Sequence, residues 1–180
     1  MRDGWPGPVL ITAEQIARRV AELGERITSE HSGQELVLVG VLKGSLFFLA
    51  DLARQIRLPL VYELVTLQSY GDATQAQHAP ELIYATRLDI KGRPVVIVED
   101  IVDTGHTLDH LRRALLAESP LSLRVCTLLD KRGRRQVELP LDYVGFVIPE
   151  HFVVGYGLDL AQRYRHLPAI VVLDDESATR

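Results

Sequence analysis

Val95-Val-Ile-Val-Glu-Asp-Ile-Val-Asp-Thr-Gly-His-Thr-Leu108 is the stretch on which the reading of this chain turns. Its first four residues are all β-branched, which suits a strand covered on both faces, because a half-exposed strand would alternate apolar with polar. The run then meets two adjacent carboxylates, Glu99 and Asp100, crosses a loop of small residues from Asp103 to Thr107, and enters a helical pattern over Leu108 to Glu118. At a strand's end, Glu99 and Asp100 can accept hydrogen bonds from a vicinal diol such as the 2- and 3-hydroxyls of ribose, and can bear on a divalent cation held there. Asp103, Thr104, Gly105, His106 and Thr107 deliver backbone N–H groups and two hydroxyls to a helix N-terminus, where the macrodipole favours an anion. Gly105 lets the backbone approach that anion closely. A phosphate monoester beside a sugar diol is the ligand such an arrangement suits best. The loop lacks the Gly-Lys-Ser/Thr ending of a P-loop and the three-glycine dinucleotide fingerprint, which counts against nucleoside triphosphate and nicotinamide readings.

Upstream, Thr12 and Gln15 have the spacing of a capping box, and Ile16, Val20, Leu23 and Ile27 recur at helical intervals, predicting a helix over Ala13 to Glu30 that ends by Gly33. Glu35 to Val41 reads as a second doubly covered strand, broken by Lys43-Gly44-Ser45. A helix over Ser45 to Ile56 and a strand over Leu60 to Leu67 follow. Residues 69–80 lose apolar periodicity and read as a long loop, of the kind that often serves as a lid. A hairpin is expected next, with Glu81 to Thr86 as one arm, Lys91-Gly92 near the turn and Arg93 to Glu99 as the other arm. Downstream, strands are expected at Leu121 to Leu129, Tyr143 to Ile148 and Ala169 to Leu173, the last two separated by a Gly-rich stretch. Doubly covered strands alternating with amphipathic helices predict an α/β fold with a largely parallel sheet flanked by helices, whose ligands bind beyond the carboxyl ends of the strands.

With 180 residues, 47% hydrophobic and 24% charged, the chain suits one domain with a sizeable core. The net charge of −4 argues against a general nucleic-acid binder. Cys126 is the single cysteine, so no intrachain disulfide can form, and its apolar setting predicts a buried, inert thiol. The N-terminus lacks a signal-peptide core, and no stretch approaches the roughly 20 apolar residues of a membrane span, so the expectation is a cytoplasmic protein without a membrane partner.

The Val95–Leu108 run resembles the phosphoribosyl pyrophosphate signature of the type I phosphoribosyltransferases, and its flanks narrow the resemblance to the hypoxanthine-guanine phosphoribosyltransferases. The likeness extends from about Val39 to the last strand and weakens in the first helix and the long loop. It implies that family's fold: one domain over residues 1–180, a core over about 35–130, and a small hood over the base pocket formed by the N- and C-terminal segments. Leu42-Lys43-Gly44-Ser45 is similar to the family's pyrophosphate loop, in which backbone N–H groups grip the leaving group and a non-proline cis peptide before the lysine is common. Ser69-Tyr70-Gly71 matches the start of the family's mobile loop, although Gln75, Gln77 and His78 depart from the usual Thr/Ser/Gly-rich tract. Lys131 matches the lysine that donates to the 6-oxo group of the base; an ammonium can only donate, which favours a 6-oxopurine over a 6-aminopurine. Arg132, Arg134 and Arg135 beside it read as a solvated basic run, with Arg135 a candidate for phosphate or subunit contacts. In Ile148 to Asp159, the resemblance implies Phe152 stacking on the purine, Val153 offering backbone hydrogen bonds to its edge, and Asp159 lying by the base and the metal. Arg165, with Arg163 as a neighbouring alternative, matches an arginine on pyrophosphate.

The implied reaction is transfer of a ribosyl phosphate from phosphoribosyl pyrophosphate to hypoxanthine or guanine in purine salvage. The resemblance implies Mg²⁺ held by Glu99, Asp100 and Asp159, charge on pyrophosphate met by Lys43, Gly44, Ser45 and Arg165, and Asp103 as the candidate acid/base. Asp103 has a structural alternative as a loop-organising residue. Relatives commonly form homodimers or homotetramers. Two competing readings are a phosphoribosyl-pyrophosphate-sensing regulator on the same fold and a generic nucleotide-binding or phosphatase-like α/β domain. Lys43, Asp103 and Lys131 together argue against the first, and the second leaves the Phe152 to Asp159 segment and Lys131 without an explanation.

Overall fold

The Thr12 hydroxyl accepts from the Gln15 N–H and the Gln15 side chain accepts from the Thr12 N–H, so the expected capping box opens the first helix. The structure, a computed structural model, describes residues 5–68, 81–84 and 88–173. Its elements in order are β1 (Val9–Ile11), α1 (Ala13–Glu30), β2 (Leu36–Leu42), α2 (Leu46–Gln55), β3 (Leu60–Gln68), β4 (Glu81–Tyr84), β5 (Pro94–Val102), α3 (His106–Ala117), β6 (Ser122–Asp130), a 3-10 turn at Arg132–Arg134, β7 (Tyr143–Val147), β8 (Val153–Val154) and β9 (Ile170–Val172).

A six-stranded sheet runs β4-β3-β2-β5-β6-β7. Five of its strands are mutually parallel, and β4 lies antiparallel on the edge beside β3. The apolar runs are continuous because both faces are covered. Leu36 and Leu38 of β2 pack with Val96 and Val98 of β5 against α1 and α2, through Ile16, Val20, Leu23, Phe48 and Leu52. The intervening Val37, Val39, Val95 and Ile97 face the opposite way, onto Leu108, Leu111 and Leu115 of α3. Strand periodicity of two and helical periodicity of 3.6 thus meet in two separate cores. Cys126 is fully buried in the first of them. Burial pushes its thiol up, away from the reactive thiolate.

The predicted hairpin joining 81–86 to 93–99 does not form. β4 pairs instead with β3, and β5 enters the middle of the sheet parallel to β2 and β6. Pro94 to Val98 are buried on both faces, a position an edge hairpin arm cannot supply. The expected turn does exist at Lys91-Gly92, where Gly92 takes φ +68° and the Arg93 N–H closes on the Ile90 carbonyl.

A second sheet, of three antiparallel strands in the order β1-β9-β8, joins the two ends of the described chain. Val154, Leu167, Val171 and Leu173 form its small core, with Trp5 packed against them. No described helix is long and apolar enough to cross a membrane.

Candidate active site

β2, β5 and β6 end side by side, and their carboxyl ends carry Lys43, the Glu99–Thr107 run and Lys131. This is the edge at which parallel sheets bind ligands. Glu99, Asp103, Thr104, Gly105 and Thr107 line a cavity of about 260 Å³ with Leu42. Gly105 sits at φ +90°, and a Cβ there would come within 2.8 Å of Val137, so the tight loop needs glycine on both counts. The Thr104 carbonyl accepts from the Gln136 N–H at 3.0 Å, and the His106 ring meets the Gln136 side chain at 3.1 Å. Gln136 thus braces the loop from a segment the sequence reading had left aside.

The two adjacent carboxylates are held at an electrostatic cost. Burial pushes the Glu99 carboxyl well above the usual carboxylate range, and the neighbouring Asp100 adds to the push. Burial also raises Asp100, opposed by hydrogen bonds from Glu99 and the Ile101 N–H and by the charge of Arg165. The Ile101 N–H reaches Asp100 Oδ1 at 2.9 Å.

Asp103 lies between two cations. Lys131 Nζ is 3.9 Å from one carboxylate oxygen, and Arg134 Nε is 2.7 Å from the other. The Arg134 approach lacks the alignment of a hydrogen bond, so Asp103 Oδ1 keeps a buried acceptor unmatched. Lys131 is itself buried. Of the neighbouring arginines, Arg132 and Arg134 are exposed, as expected of a solvated run, whereas Arg135 is part-buried; Arg132 and Arg135 both pair with the buried Asp130, at 3.2 and 2.5 Å. Arg135 also packs beside Gly105, with its Cδ 3.1 Å from the position a Cβ would take.

At the end of β2, the Leu42–Lys43 peptide is cis. A Cβ on Gly44 would fall 1.6 Å from Asp100 Oδ2, so the loop and the acidic pair are in direct contact. Ser45 departs from expectation: it is fully buried, and both its N–H and its hydroxyl turn back to the Val41 carbonyl, at 3.3 and 2.7 Å. Closing the turn that starts α2 uses the donor the sequence had assigned to an anion.

The 155–165 segment docks on the same loop. A Cβ on Gly157 would lie 2.0 Å from the Gly44 carbonyl. Arg165 donates to the Gly157 carbonyl at 2.6 Å and pairs with Asp159 at 2.7 Å, whereas Arg163 is exposed, so Arg165 is the arginine that faces the loop. Gln162, unread in the sequence, accepts from both Lys43 and Arg165. Its signal was positional only, three residues before the arginine. Phe152 is 56% exposed, an open aromatic face. Val153 pairs with Val172 in the second sheet, and Gly133 contacts Glu150, bringing the Phe152 segment beside the Lys131 turn. Ser69 and Tyr70 lie outside the described residues.

A small-residue loop opening α3, a buried acidic pair and a loop carrying Lys43 thus meet at the carboxyl edge of the parallel sheet. A model of the phosphoribosyl transferase domain matches residues 10–161, and the chain belongs to the phosphoribosyltransferase family. The hypoxanthine phosphoribosyltransferase of Salmonella typhimurium is 48% identical over 172 residues, covering 93% of this chain and 97% of the relative. The hypoxanthine-guanine phosphoribosyltransferase of Mycobacterium tuberculosis is 48% identical over 179 residues, covering 94% and 89%. Among solved structures, a hypoxanthine-guanine phosphoribosyltransferase from Bacillus anthracis superposes with a TM-score of 0.89 at 40% identity, covering 94% of this chain and 100% of that one. The hypoxanthine phosphoribosyltransferase of Trypanosoma cruzi reaches 0.92 at 38% identity, covering 99% and 97%.

Proposed function

We propose that this chain is a purine salvage enzyme that moves the 5-phosphoribosyl group from phosphoribosyl pyrophosphate to N9 of hypoxanthine or guanine, giving IMP or GMP and pyrophosphate. The observation that carries the reading is the position of Asp103, which lines the phosphate-loop cavity and stands 3.9 Å from Lys131. One side chain therefore borders both the sugar phosphate and the base.

The roles follow from the chemistry of each group. Asp103 to Thr107 bind the 5-phosphate at the start of α3, and Glu99 and Asp100 accept from the ribose hydroxyls. Lys131 donates to the 6-oxo group, Phe152 stacks on the purine, and the Val153 backbone and Asp159 border its edge. As N9 attacks the anomeric carbon and the bond to pyrophosphate breaks, Asp103 takes the proton from N7. Lys43, Gly44 and Arg165 hold the departing anion. Ser69 and Tyr70 belong to the loop that covers the site.

Mg²⁺ fits the donor set. No group of three or more His, Cys, Asp or Glu suited to a metal occurs among the described residues, but Mg²⁺ ordinarily takes one or two carboxylates together with phosphate and water oxygens. The buried pair Glu99 and Asp100 is such a partial site; Asp159, whose oxygens meet Arg165 and the Gln162 N–H, does not join them in one cluster. When bound, the ion neutralises charge developing on the pyrophosphate oxygens.

In this reading residues 1–180 make one domain, with its core at about 35–130 and a hood built from the terminal segments. The protein works in the cytoplasm as a homodimer or homotetramer. The exposed Leu46, Phe47 and Tyr62 support self-association.

The test is a coupled spectrophotometric assay with phosphoribosyl pyrophosphate and magnesium, offering hypoxanthine, guanine, xanthine and adenine in turn. Turnover with a 6-oxopurine is expected, with none on adenine, and kcat is expected to fall about 10²–10⁴-fold in Asp103→Asn. Binding of phosphoribosyl pyrophosphate without turnover of any base would replace the enzyme with the regulator reading.

A further inference from the structure

Lys43 and Arg165 reach the site from opposite ends of the fold, one on the loop after β2 and the other after the Gly155–Gly157 turn. Both point at one acceptor. Gln162 Oε1 lies 3.5 Å from Lys43 Nζ and 3.3 Å from Arg165 Nη2. Arg165 is already paired with Asp159, whereas this neutral amide oxygen is the one described partner of Lys43, and an anionic oxygen at that point would bind Lys43 about twice as strongly as the amide does. Arg165 has a further unused donor: its Nε is buried and without a hydrogen-bond partner.

The backbone holds Gln162 where it is. Gln162 takes φ +66° beside Ala161 at φ +48°, a left-handed pair unusual for residues with side chains. The Gln162 N–H donates to Asp159 Oδ2 at 2.8 Å, while Asp159 Oδ1 pairs with Arg165. Asp159 therefore fixes both the acceptor and one of its donors. Such strained positions persist where surrounding contacts enforce them, and they cluster at ligand clamps.

We propose that Gln162 is the place-holder of the pyrophosphate subsite. Its amide oxygen occupies the point between Lys43 and Arg165 that a pyrophosphate oxygen takes in the complex, and yields to the anion without itself binding it. This rests on the assignment of Lys43 and Arg165 to pyrophosphate made above. A neutral place-holder is displaced readily, whereas a carboxylate of the same length would stay and compete. A shorter amide cannot reach either cation.

The experiment is isothermal titration of the full chain with inorganic pyrophosphate, with and without magnesium, alongside KM values for phosphoribosyl pyrophosphate and hypoxanthine. Gln162→Glu is expected to weaken pyrophosphate binding on the order of tenfold, which corresponds to ~1.4 kcal/mol. It is expected to raise KM for phosphoribosyl pyrophosphate alike, with KM for hypoxanthine unchanged. Gln162→Asn is expected to bind pyrophosphate at least as tightly as the parent. Equal affinity in Gln162→Glu and the parent would overturn the proposal, as would a several-fold loss in Gln162→Asn, which would make Gln162 a ligand in its own right. Matching melting curves of the three proteins separate these outcomes from misfolding. A parent chain that binds no pyrophosphate under either condition would sink the pyrophosphate assignment itself, a failure distinct from that of the place-holder.

Discussion

Replacing Gly44 by alanine tests whether the acidic pair and the cationic loop act as one site. Gly44 has no left-handed backbone, so alanine is conformationally allowed there, and the chain entropy term slightly favours it. The difficulty is contact. The new Cβ would lie 1.6 Å from Asp100 Oδ2 and 2.5 Å from its Cγ, while ordinary van der Waals contact begins at 3.4 Å. The whole carboxylate must therefore swing away, breaking the bond from the Ile101 N–H. A misplacement of about 1 Å at a reacting centre can cost about 10²-fold in rate, or ~2.7 kcal/mol of transition-state stabilisation. The expected result is a loss of at least that size in kcat/KM for phosphoribosyl pyrophosphate, at saturating hypoxanthine, with little change in melting temperature. Gly24→Ala supplies the opposite case. Its Cβ would meet Gln55 Cβ at 2.4 Å and the Gln55 carbonyl carbon at 3.0 Å, forcing α1 off α2 far from the site. Overpacking of this kind costs about 1–3 kcal/mol of stability, and the activity of the folded fraction is expected to survive. Retention of kcat/KM within threefold in Gly44→Ala would refute the claim that Asp100 must stand where it does.

Three further outcomes are expected. Lys131→Gln replaces a pure donor by a group that both donates and accepts, and is expected to lower the preference for hypoxanthine over adenine by at least about tenfold; an unchanged ratio of kcat/KM values would detach Lys131 from the 6-position. Phe152→Ala removes an exposed ring, so KM for the purine is expected to rise with the melting temperature held; a lower melting temperature with unchanged KM would make the ring structural. At the far end of the sheet, the Arg26 guanidinium, with help from the Tyr143 hydroxyl, holds the Glu30 carboxyl below its usual range. A lowered folded-state value contributes stability that is present above the unfolded value of 4.5 and is lost as pH falls through the folded one. Glu30→Gln is therefore expected to melt below the parent near neutral pH and to converge with it in acid; a gap that persists in acid would assign the effect to packing.

Much of the fold was legible because β2 and β5 are doubly covered and α1 carries a complete cap, features that depend on local sequence alone. Strand pairing was less so. Lys91-Gly92 does form a turn, but the turn hands the chain to a parallel strand three positions in from β4, and only the burial of both faces of Pro94–Val98 distinguishes that from a hairpin. β1 and β8 span three and two residues, too short for any periodicity to register. The candidate site divides in the same way. Glu99 to Thr107 is one contiguous segment whose order states its chemistry. The partners that decide its charge balance come from elsewhere: Arg134 on Asp103, Arg165 near Asp100, Gln162 between two cations. No local pattern encodes those distances, nor the pairing of Arg132 and Arg135 with Asp130 at the end of β6.

Three glycines show how the second sheet governs the chemistry. A Cβ on Gly155 would sit 2.0 Å from the Ala169 carbonyl, one on Gly157 would sit 2.0 Å from the Gly44 carbonyl, and one on Gly44 would strike Asp100. Each contact is closer than any side chain permits; the first two fix the separation of backbone segments, and the third seats the Asp100 carboxylate against the Gly44 backbone. Linked in series, they run from the edge of β9 through the 155–157 turn and the cationic loop to the end of β5. A shift of β9 is carried by backbone contact as far as the Gly44 loop, and there it bears on the Asp100 carboxylate. The short strands contributed by the two chain ends thus bear, through the 155–157 turn, on the position of the loop that carries Lys43 and Gly44, a position the parallel sheet alone leaves free.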